Sequence, residues 1–286
     1  MRFFKWLHSL FFRHSQKKDV YPHFEKHRES KELPIHFHRL SNQGNAYYIN
    51  YKVPYTIDGT LKKQTIDRVF DFAYKMAFTA EGAHRSTRSG GEHSRRNGEI
   101  FANTFQGKIA ECAACNFFYK YDNSVTPDFS VFKLGKWDTV DLSVTGREIA
   151  IKSTKHFGQL LLLETKDWDR HGRYIPNKGK NVSSYDCMML IRMKPSCEDI
   201  LKHERLLYSD FIEREQLYNL IIKEAWSYNY VGFITHNDLC DIIRQQYILP
   251  KRGLLNGSTP MDAENYYVQA GDMRNISTYE DVFLTT

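Results

Sequence analysis

The sequence predicts a mixed α/β (α+β) protein in which helices flank one central, mixed β-sheet. Two observations carry this prediction. Apolar residues recur at helical spacing over residues 64–80 and again over 99–118, which indicates two amphipathic helices. A mostly apolar run at 185–193 and a strand-like run at 230–235 alternate with further helical stretches. A run as apolar as 185–193 is typical of a strand buried on both faces of its sheet.

The other elements follow in chain order from similar reasoning. Residues 1–45 are basic and rich in histidine, around a first amphipathic helix that could contact DNA or a dimer partner. The segment 46–53 is rich in β-formers and ends before Pro54. The remaining predictions are a hairpin over 139–153, a strand over 159–164, a helix over about 210–226, a helix starting at His236 and a turn at Asn256-Gly257.

Composition indicates an ordinary globular protein with a mild excess of positive charge. The chain has 286 residues and a formal net charge of +6, compatible with a polyanionic partner. We divide it into an N-terminal basic region (1–84), a core (85–195) and a C-terminal α/β elaboration (196–286). The five cysteines are an odd number in a long chain, so a disulfide framework is not expected and a reducing cytoplasm is. No stretch approaches the roughly 18 apolar residues of a membrane span, so no membrane partner is expected.

The hairpin is predicted where Thr145-Gly146 joins two alternating runs. This turn fixes the register, so that Asp141 faces Ala150. Because side chains alternate across a strand, one face is purely apolar; its residues are Val140, Leu142, Val144, Ile149 and Ile151. The other face is polar except at Ala150; its residues are Thr139, Asp141, Ser143, Glu148, Ala150 and Lys152. We therefore expect a core beneath the hairpin and a chemical site above it.

A second candidate region is the stretch 84–98, which shows no apolar periodicity. It combines glycines and small hydroxyl residues with Arg85, Arg88, Arg95 and Arg96. These residue types suit contacts to phosphate groups in a loop. A solvated surface loop would have the same composition, and this segment alone does not decide between the two.

An acid at position 150 would turn the polar face of the hairpin into a metal site. Its carboxylate would lie opposite that of Asp141, with Cβ atoms about 5 Å apart, and two carboxylates so close repel unless a cation binds them. Oxygen ligands of this kind favour Mg²⁺. Lys152 could then stabilise a phosphorane-like transition state or help to deprotonate a metal-bound water. Aspartate and lysine on a hairpin face are, however, often merely solvated.

Three segments carry a resemblance to a known family. They are Gly107-Lys108-Ile109-Ala110-Glu111, Trp137-Asp138-Thr139-Val140-Asp141 and Ile149-Ala150-Ile151-Lys152-Ser153-Thr154. In this order they resemble the PD-(D/E)XK nuclease superfamily, type II restriction endonucleases in particular. The resemblance covers about residues 85–195 and implies a restriction-endonuclease-like core with N- and C-terminal elaborations.

The resemblance also implies roles for individual residues. Asp141 would be a metal ligand, Lys152 the catalytic lysine and Glu111 a helix acid that also reaches the metal, together with the backbone carbonyl of Ile151. DNA contacts would come from the four arginines of the loop and from Ser153, Thr154 and Lys155. The cofactor would be Mg²⁺, the substrate double-stranded DNA and the working form a homodimer.

Ala150 departs from the family pattern because alanine supplies no ligand. We consider three explanations: the acid was replaced in this chain, the chain is a natural DNA-binding relative without catalysis, or the acid has migrated. Glu148 lies on the same face one pleat earlier, and Glu164 begins an acid-x-Lys triplet at the end of the next strand. We favour the first explanation.

The sequence therefore predicts a Mg²⁺-dependent, sequence-specific DNA endonuclease that is impaired at Ala150. Two alternatives stay open: a non-catalytic DNA-binding protein on the same fold, and a repair or recombination nuclease that recognises DNA structure. A small-molecule enzyme is least favoured, because the chain has no G-x-G-x-x-G, no phosphate-binding G-x-x-x-x-G-K-[ST] and no G-x-S-x-G motif.

Overall fold

The computed structural model describes residues 34–79, 95–130, 141–177 and 184–284. Within these ranges its helices are α1 (Lys63–Phe78), α2 (Asn97–Phe118), α3 (Cys197–His203), α4 (Arg214–Ile222), α5 (His236–Arg244) and α6 (Tyr279–Phe283). Its strands are β1 (Ser41–Gln43), β2 (Ala46–Tyr48), β3 (Gly59–Thr60), β4 (Leu142–Val144), β5 (Arg147–Lys155), β6 (Leu160–Glu164), β7 (Cys187–Lys194), β8 (Ser227–Thr235), β9 (Ile248–Leu249), β10 (Leu254–Leu255), β11 (Thr259–Pro260) and β12 (Asn265–Gln269).

The two long helices confirm the helical periodicity of the sequence. Helix α1 buries Ile66, Val69, Phe70 and Ala73, which recur at three- and four-residue spacing. Helix α2 starts with a capping box, in which the Glu99 side chain accepts a hydrogen bond of 2.9 Å from the backbone N–H of Arg96. Helices α1 and α2 pack together over one face of the largest sheet.

That central sheet has five strands in the order β3-β8-β7-β5-β4. Strand β5 runs parallel to β7, and the other neighbours are antiparallel. Strand β7 is buried from Cys187 to Met193, as its apolar run predicts. The sheet takes β3, β5 and β8 from all three of the regions into which we divided the sequence, so these regions share one layer.

The expectation of a single sheet was wrong. A four-stranded sheet (β1-β2-β10-β11) and a three-stranded sheet (β6-β12-β9) accompany the central one. Strand β6, which follows β5 after a short turn, pairs antiparallel with β12 instead of extending the central sheet. The β-rich segment 46–53 forms a strand only over Ala46–Tyr48. The predicted helix near residues 1–13 lies outside the described residues.

Two apolar clusters lie on opposite sides of the central sheet. On what we call the first face, Ile149, Ile151 and Met189 pack with α1 and α2. On the second face, Ala150, Met188 and Leu190 pack with side chains of β6, β12 and α5. The alternation of side chains along β5 and β7 therefore serves two cores, one for each face.

Buried polar groups hold in place the segments that pack on the second face of the central sheet. The Arg192 guanidinium is fully buried and donates to the carbonyls of Gly158, Val53 and Pro54 and to the Gln159 side chain. The carboxylate of Asp272 accepts a hydrogen bond from the hydroxyl of Tyr51 and one of 2.9 Å from the backbone N–H of His38. Such groups need partners because an unpaired buried polar group costs free energy. None of the described helices is long and apolar enough to cross a membrane.

Candidate functional site

The β4–β5 hairpin has the register that the sequence predicts. Leu142 pairs with Ile149, and Val144 with Arg147. Thr145 and Gly146 have φ angles of 50° and 77°, as a two-residue hairpin turn with positive φ at both positions requires. The apolar side of this hairpin lies on the first face of the sheet, and its described members are buried in the cluster with α1 and α2.

The other side of the hairpin is covered at Ala150. This residue is 0% exposed, and its apolar cluster also contains Leu161, Met188 and Leu190. The second face is therefore a core at Ala150, where the sequence led us to expect a chemical site above the hairpin. An alanine fits these surroundings, because it has no polar atom that would need a partner.

Asp141 stands at the open end of the hairpin. Its Oδ2 accepts a hydrogen bond of 2.7 Å from the backbone N–H of Ile151, so the carboxylate continues the pairing of β4 with β5. Strand β4 itself pairs only with Arg147–Ile149. Among the described residues, no strand covers this edge of β5 beyond Asp141. The edge from Lys152 to Lys155 is thus open for other contacts.

A cavity of about 510 Å³, here called the edge cavity, lies along this open edge. Its lining comes from α2, β5, β6 and β7 and consists of Arg95, Asn103, Ile151, Lys152, Ser153, Thr154, Leu160, Leu161, Leu162 and Leu190. Lys152 is half-buried. Its ammonium group forms no hydrogen bond or ion pair with the part of the chain that the structure describes. A cation in this position is available to an anionic ligand.

Of the four arginines predicted to contact phosphates, one lines the cavity, one forms an internal ion pair and two are not described. Arg95 precedes α2 and lines the edge cavity. Arg96 forms an ion pair of 2.5 Å with Asp210, in the loop that packs on the start of α2. Arg85 and Arg88 lie outside the described residues.

Lys155 differs from Ser153 and Thr154, which line the cavity. Its Nζ lies 2.7 Å from Asp199 and 3.2 Å from Glu198, both at the start of α3. Partial burial lowers its pKa, but the hydrogen bond to Asp199 and the charge of Glu198 outweigh this and raise it. Lys155 is therefore committed to an internal ion pair on the first face.

Glu111 is held by an ion pair within α2. Lys108 Nζ lies 2.5 Å from Glu111 Oε2 and also donates to the carbonyl of Asp128 at 2.7 Å. The Lys108 ammonium group faces the rings of Phe72 and Phe129. Glu111 does not line the edge cavity. The described structure thus brings Asp141 and Lys152 to one edge of β5 and gives Glu111 a separate partner.

The two alternative acids lie on different strands. The backbone N–H of Glu148 donates to Asp186 at 2.8 Å, which anchors the start of β5. Glu164 ends β6, on the same side of that strand as Leu160 and Leu162 of the cavity wall. Its Oε2 is buried and lies 4.0 Å from Lys166 Nζ. Neither acid lines the edge cavity, but Glu164 has neighbours on β6 that do, and it is therefore the alternative acid that we take further.

The resemblance implies Mg²⁺, so the question is whether the oxygen atoms near this edge suit that ion. Within the described residues, no three side chains of His, Cys, Asp or Glu converge on a common point. Mg²⁺ in proteins is usually held by one or two carboxylates, and water and substrate phosphates complete its octahedron. Asp141, the Ile151 carbonyl and one of the alternative acids are compatible with that kind of site.

Sequence reasoning missed a large part of the cavity wall. Asn103 lies on a helix that we recognised by its apolar spacing, and Leu190 comes from a strand remote in sequence. Asn103 is one of several polar residues of this helix, so the sequence held no signal that singled it out. Leu160, Leu161 and Leu162 belong to a predicted strand, but their approach to β5 depends on how the sheets stack.

Comparison of the chain with protein-family models, with curated proteins and with solved structures found no match.

Proposed function

We propose that this protein is a Mg²⁺-dependent endonuclease that hydrolyses phosphodiester bonds in double-stranded DNA. The observation that carries the proposal is the edge cavity, which Lys152 lines without an internal partner among the described residues. Asp141 is not part of this lining, but its carboxylate is hydrogen-bonded to the N–H of Ile151, which is part of it. A cation without an internal partner suits the negative charge of a phosphate ester.

Each residue has a distinct part in this proposal. Lys152 stabilises the negative charge that develops on the attacked phosphate, and Arg95 binds a neighbouring phosphate. Asp141, with the Ile151 carbonyl and Glu164, would hold Mg²⁺. The metal, when bound, would neutralise phosphate charge and make water a better nucleophile. The hydrogen bond from the Ile151 N–H keeps the Asp141 carboxylate in one orientation.

Sequence specificity and a homodimeric form extend the proposal in line with the family resemblance. A two-fold dimer would present one edge cavity to each strand of a duplex. Base recognition would come from side chains in the grooves. Discrete fragments from mixed-sequence DNA would support sequence specificity, whereas a smear of products would support cleavage without it.

The direct test compares single variants on mixed-sequence DNA with Mg²⁺ and with EDTA. Since the sequence predicts that Ala150 impairs catalysis, the residual hydrolysis is the quantity compared, and Lys152→Met and Asp141→Asn should each reduce it by at least about 100-fold. Asparagine can still accept the hydrogen bond from Ile151, so the hairpin should remain intact. Lys202→Met on α3 is the matched control, because Lys202 is exposed and does not line the cavity. Cleavage that survives in both variants contradicts the proposal.

A second candidate function is DNA binding without catalysis. The burial of Ala150 among apolar side chains favours it, since this position supplies no ligand. Binding would then fall steeply with salt concentration, because cationic groups displace counterions from the phosphates. Tight, salt-dependent binding with no hydrolysis under any metal condition would select this function over the nuclease.

A further inference from the structure

The edge cavity is larger and more apolar than a phosphate group needs. Its volume is about 510 Å³, within the range of roughly 300 to 1,000 Å³ that is typical of pockets for whole organic ligands. Half of its lining is aliphatic, and these residues are Ile151, Leu160, Leu161, Leu162 and Leu190. The aliphatic part of the lining gives a phosphate nothing to bind and leaves room for a ligand that has an apolar part.

The polar groups of the cavity stand beside this aliphatic wall. Lys152 and Arg95 supply positive charge, and Ser153 and Thr154 supply hydroxyl groups. Asn103 contributes a carboxamide, which can donate and accept hydrogen bonds at the same time. A ligand with one anionic end, one flat apolar surface and one polar edge matches all of these groups.

We propose that the edge cavity receives one unstacked DNA base while Lys152 binds the phosphate attached to it. This inference rests on the proposed function and narrows its substrate to DNA with an unpaired or easily unpaired nucleotide. Proteins that hold an extruded base pack its faces against apolar side chains and read its edge with hydrogen bonds. In this cavity Leu162, the one partly exposed leucine of the β6 lining, provides the apolar contact, and Asn103 reads the edge.

The same chemistry is present in a free mononucleotide. A mononucleotide carries a phosphate dianion and a base, and it could fill the cavity without any duplex. The opening of the cavity at the edge of β5 favours a polymer, because an open edge lets the chain continue on both sides of the bound nucleotide. A competition experiment between a mononucleotide and a duplex separates the two ligands.

The test measures binding in EDTA, so that no hydrolysis occurs. The probes are a fully paired duplex and an identical duplex with one mismatch that contains 2-aminopurine, a base that fluoresces more strongly when unstacked. The mismatched duplex should bind about tenfold more tightly, since less free energy is spent on unpairing its base, and its fluorescence should rise on binding.

Two cavity variants and one control complete the test. Leu162→Trp should fill the cavity and abolish the preference for the mismatch, so that the two duplexes bind with equal affinity. Asn103→Leu, which keeps the size of the side chain, should reduce the preference. Leu255→Trp is the matched control, because Leu255 is also half-buried but lies on β10 outside the cavity lining.

The outcomes separate this inference from the proposed function. Equal affinity for the two duplexes, or a preference that survives in Leu162→Trp, overturns the base pocket and leaves the nuclease proposal standing. Competition by deoxyadenosine monophosphate at the affinity of the mismatched duplex assigns the cavity to a mononucleotide and also overturns it. If no duplex binds and none is cleaved with Mg²⁺, the proposed function fails together with the inference.

Discussion

The two faces of the central sheet are built from neighbouring residues of the same strands, yet they differ in the elements that cover them. On the first face, Ile149 and Met189 pack against two long helices in an aromatic-rich core. On the second face, Ala150 and Leu190 meet a second sheet, and this packing ends at a cavity that contains Lys152. A strand with two buried faces can thus carry a functional group only where its covering layers separate, which here is at the strand edge.

The largest expected effect tests whether Ala150 belongs to the core or to the site. Ala150→Asp should reduce the free energy of unfolding by more than about 4 kcal/mol, because an unpaired carboxylate would be buried among leucines. Ser143→Asp on the exposed part of the same hairpin should change it by less than about 0.5 kcal/mol. Chemical denaturation with and without Mg²⁺ measures both.

A different result would revise our account of the hairpin. If Mg²⁺ restores the stability of Ala150→Asp and cleavage appears with it, position 150 faces a metal site from which the acid was removed. In that case the second face is functional at Ala150 as well as at the edge.

The next largest effect concerns charge on the first face. Lys108→Met should reduce the free energy of unfolding by about 3 kcal/mol. The reason is that the carboxylate of Glu111, which is only 14% exposed, loses its lysine. The double variant Lys108→Met/Glu111→Leu should recover most of this loss, since both charges are then gone. Lys63→Met, which breaks an exposed i,i+4 pair with Asp67, is the control and should cost less than about 1 kcal/mol. Equal costs for the two lysine variants would contradict the view that the Lys108 pair is part of the core.

A smaller difference compares adjacent residues of β7. Met189→Ala removes atoms from the closed core of the first face and should cost about 3 kcal/mol. Leu190→Ala enlarges a cavity that already exists, so its cost should be lower by about 1 kcal/mol. Thermal unfolding of the two variants measures this difference. If Leu190→Ala is the more costly change, the edge cavity is more tightly packed than we describe.

The smallest expected effect is a pH dependence at Tyr51, which contacts Asp272. Its hydrogen bond to Asp272, helped by burial and by the negative charge of that carboxylate, raises the pKa of Tyr51 from 10.0 to about 12. The stabilisation from this contact is therefore complete below pH 10 and is lost as the pH rises through about 12. The difference in phenolate absorbance between the wild type and Tyr51→Phe should appear near pH 12. A difference already complete at pH 10 would show that the contact does not form.

The parts of this fold that could be predicted are those with a local signal. Helices α1 and α2 follow from apolar spacing, and the register of the hairpin follows from Thr145-Gly146. The pairing of β6 with β12 joins residues about a hundred positions apart, for which no local pattern exists. Arg192 was a signal that we passed over, because an arginine inside a buried strand requires acceptors around it.

The candidate site was predictable to the same degree. Asp141, Lys152, Ser153 and Thr154 lie along one strand edge, and their order in the sequence is sufficient to find them. Arg95 was predicted as a phosphate contact, but its place beside Lys152 depends on the packing of α2 against β5. The apolar wall depends on the stacking of two sheets, which local sequence does not determine.

The pairing of early strands with late ones has a consequence for how the chain folds during synthesis. Strand β3 pairs with β8, β2 with β10, and β6 with β12. The central sheet can be completed only after β8 has left the ribosome, and the two smaller sheets only after β11 and β12 have. Such distant pairings are slow to form. The leucines of β6 would be exposed to other chains in the meantime. We therefore expect a nascent chain that stops before Asn265 to need a chaperone, even though the residues of its hairpin and of its two long helices have all been synthesised.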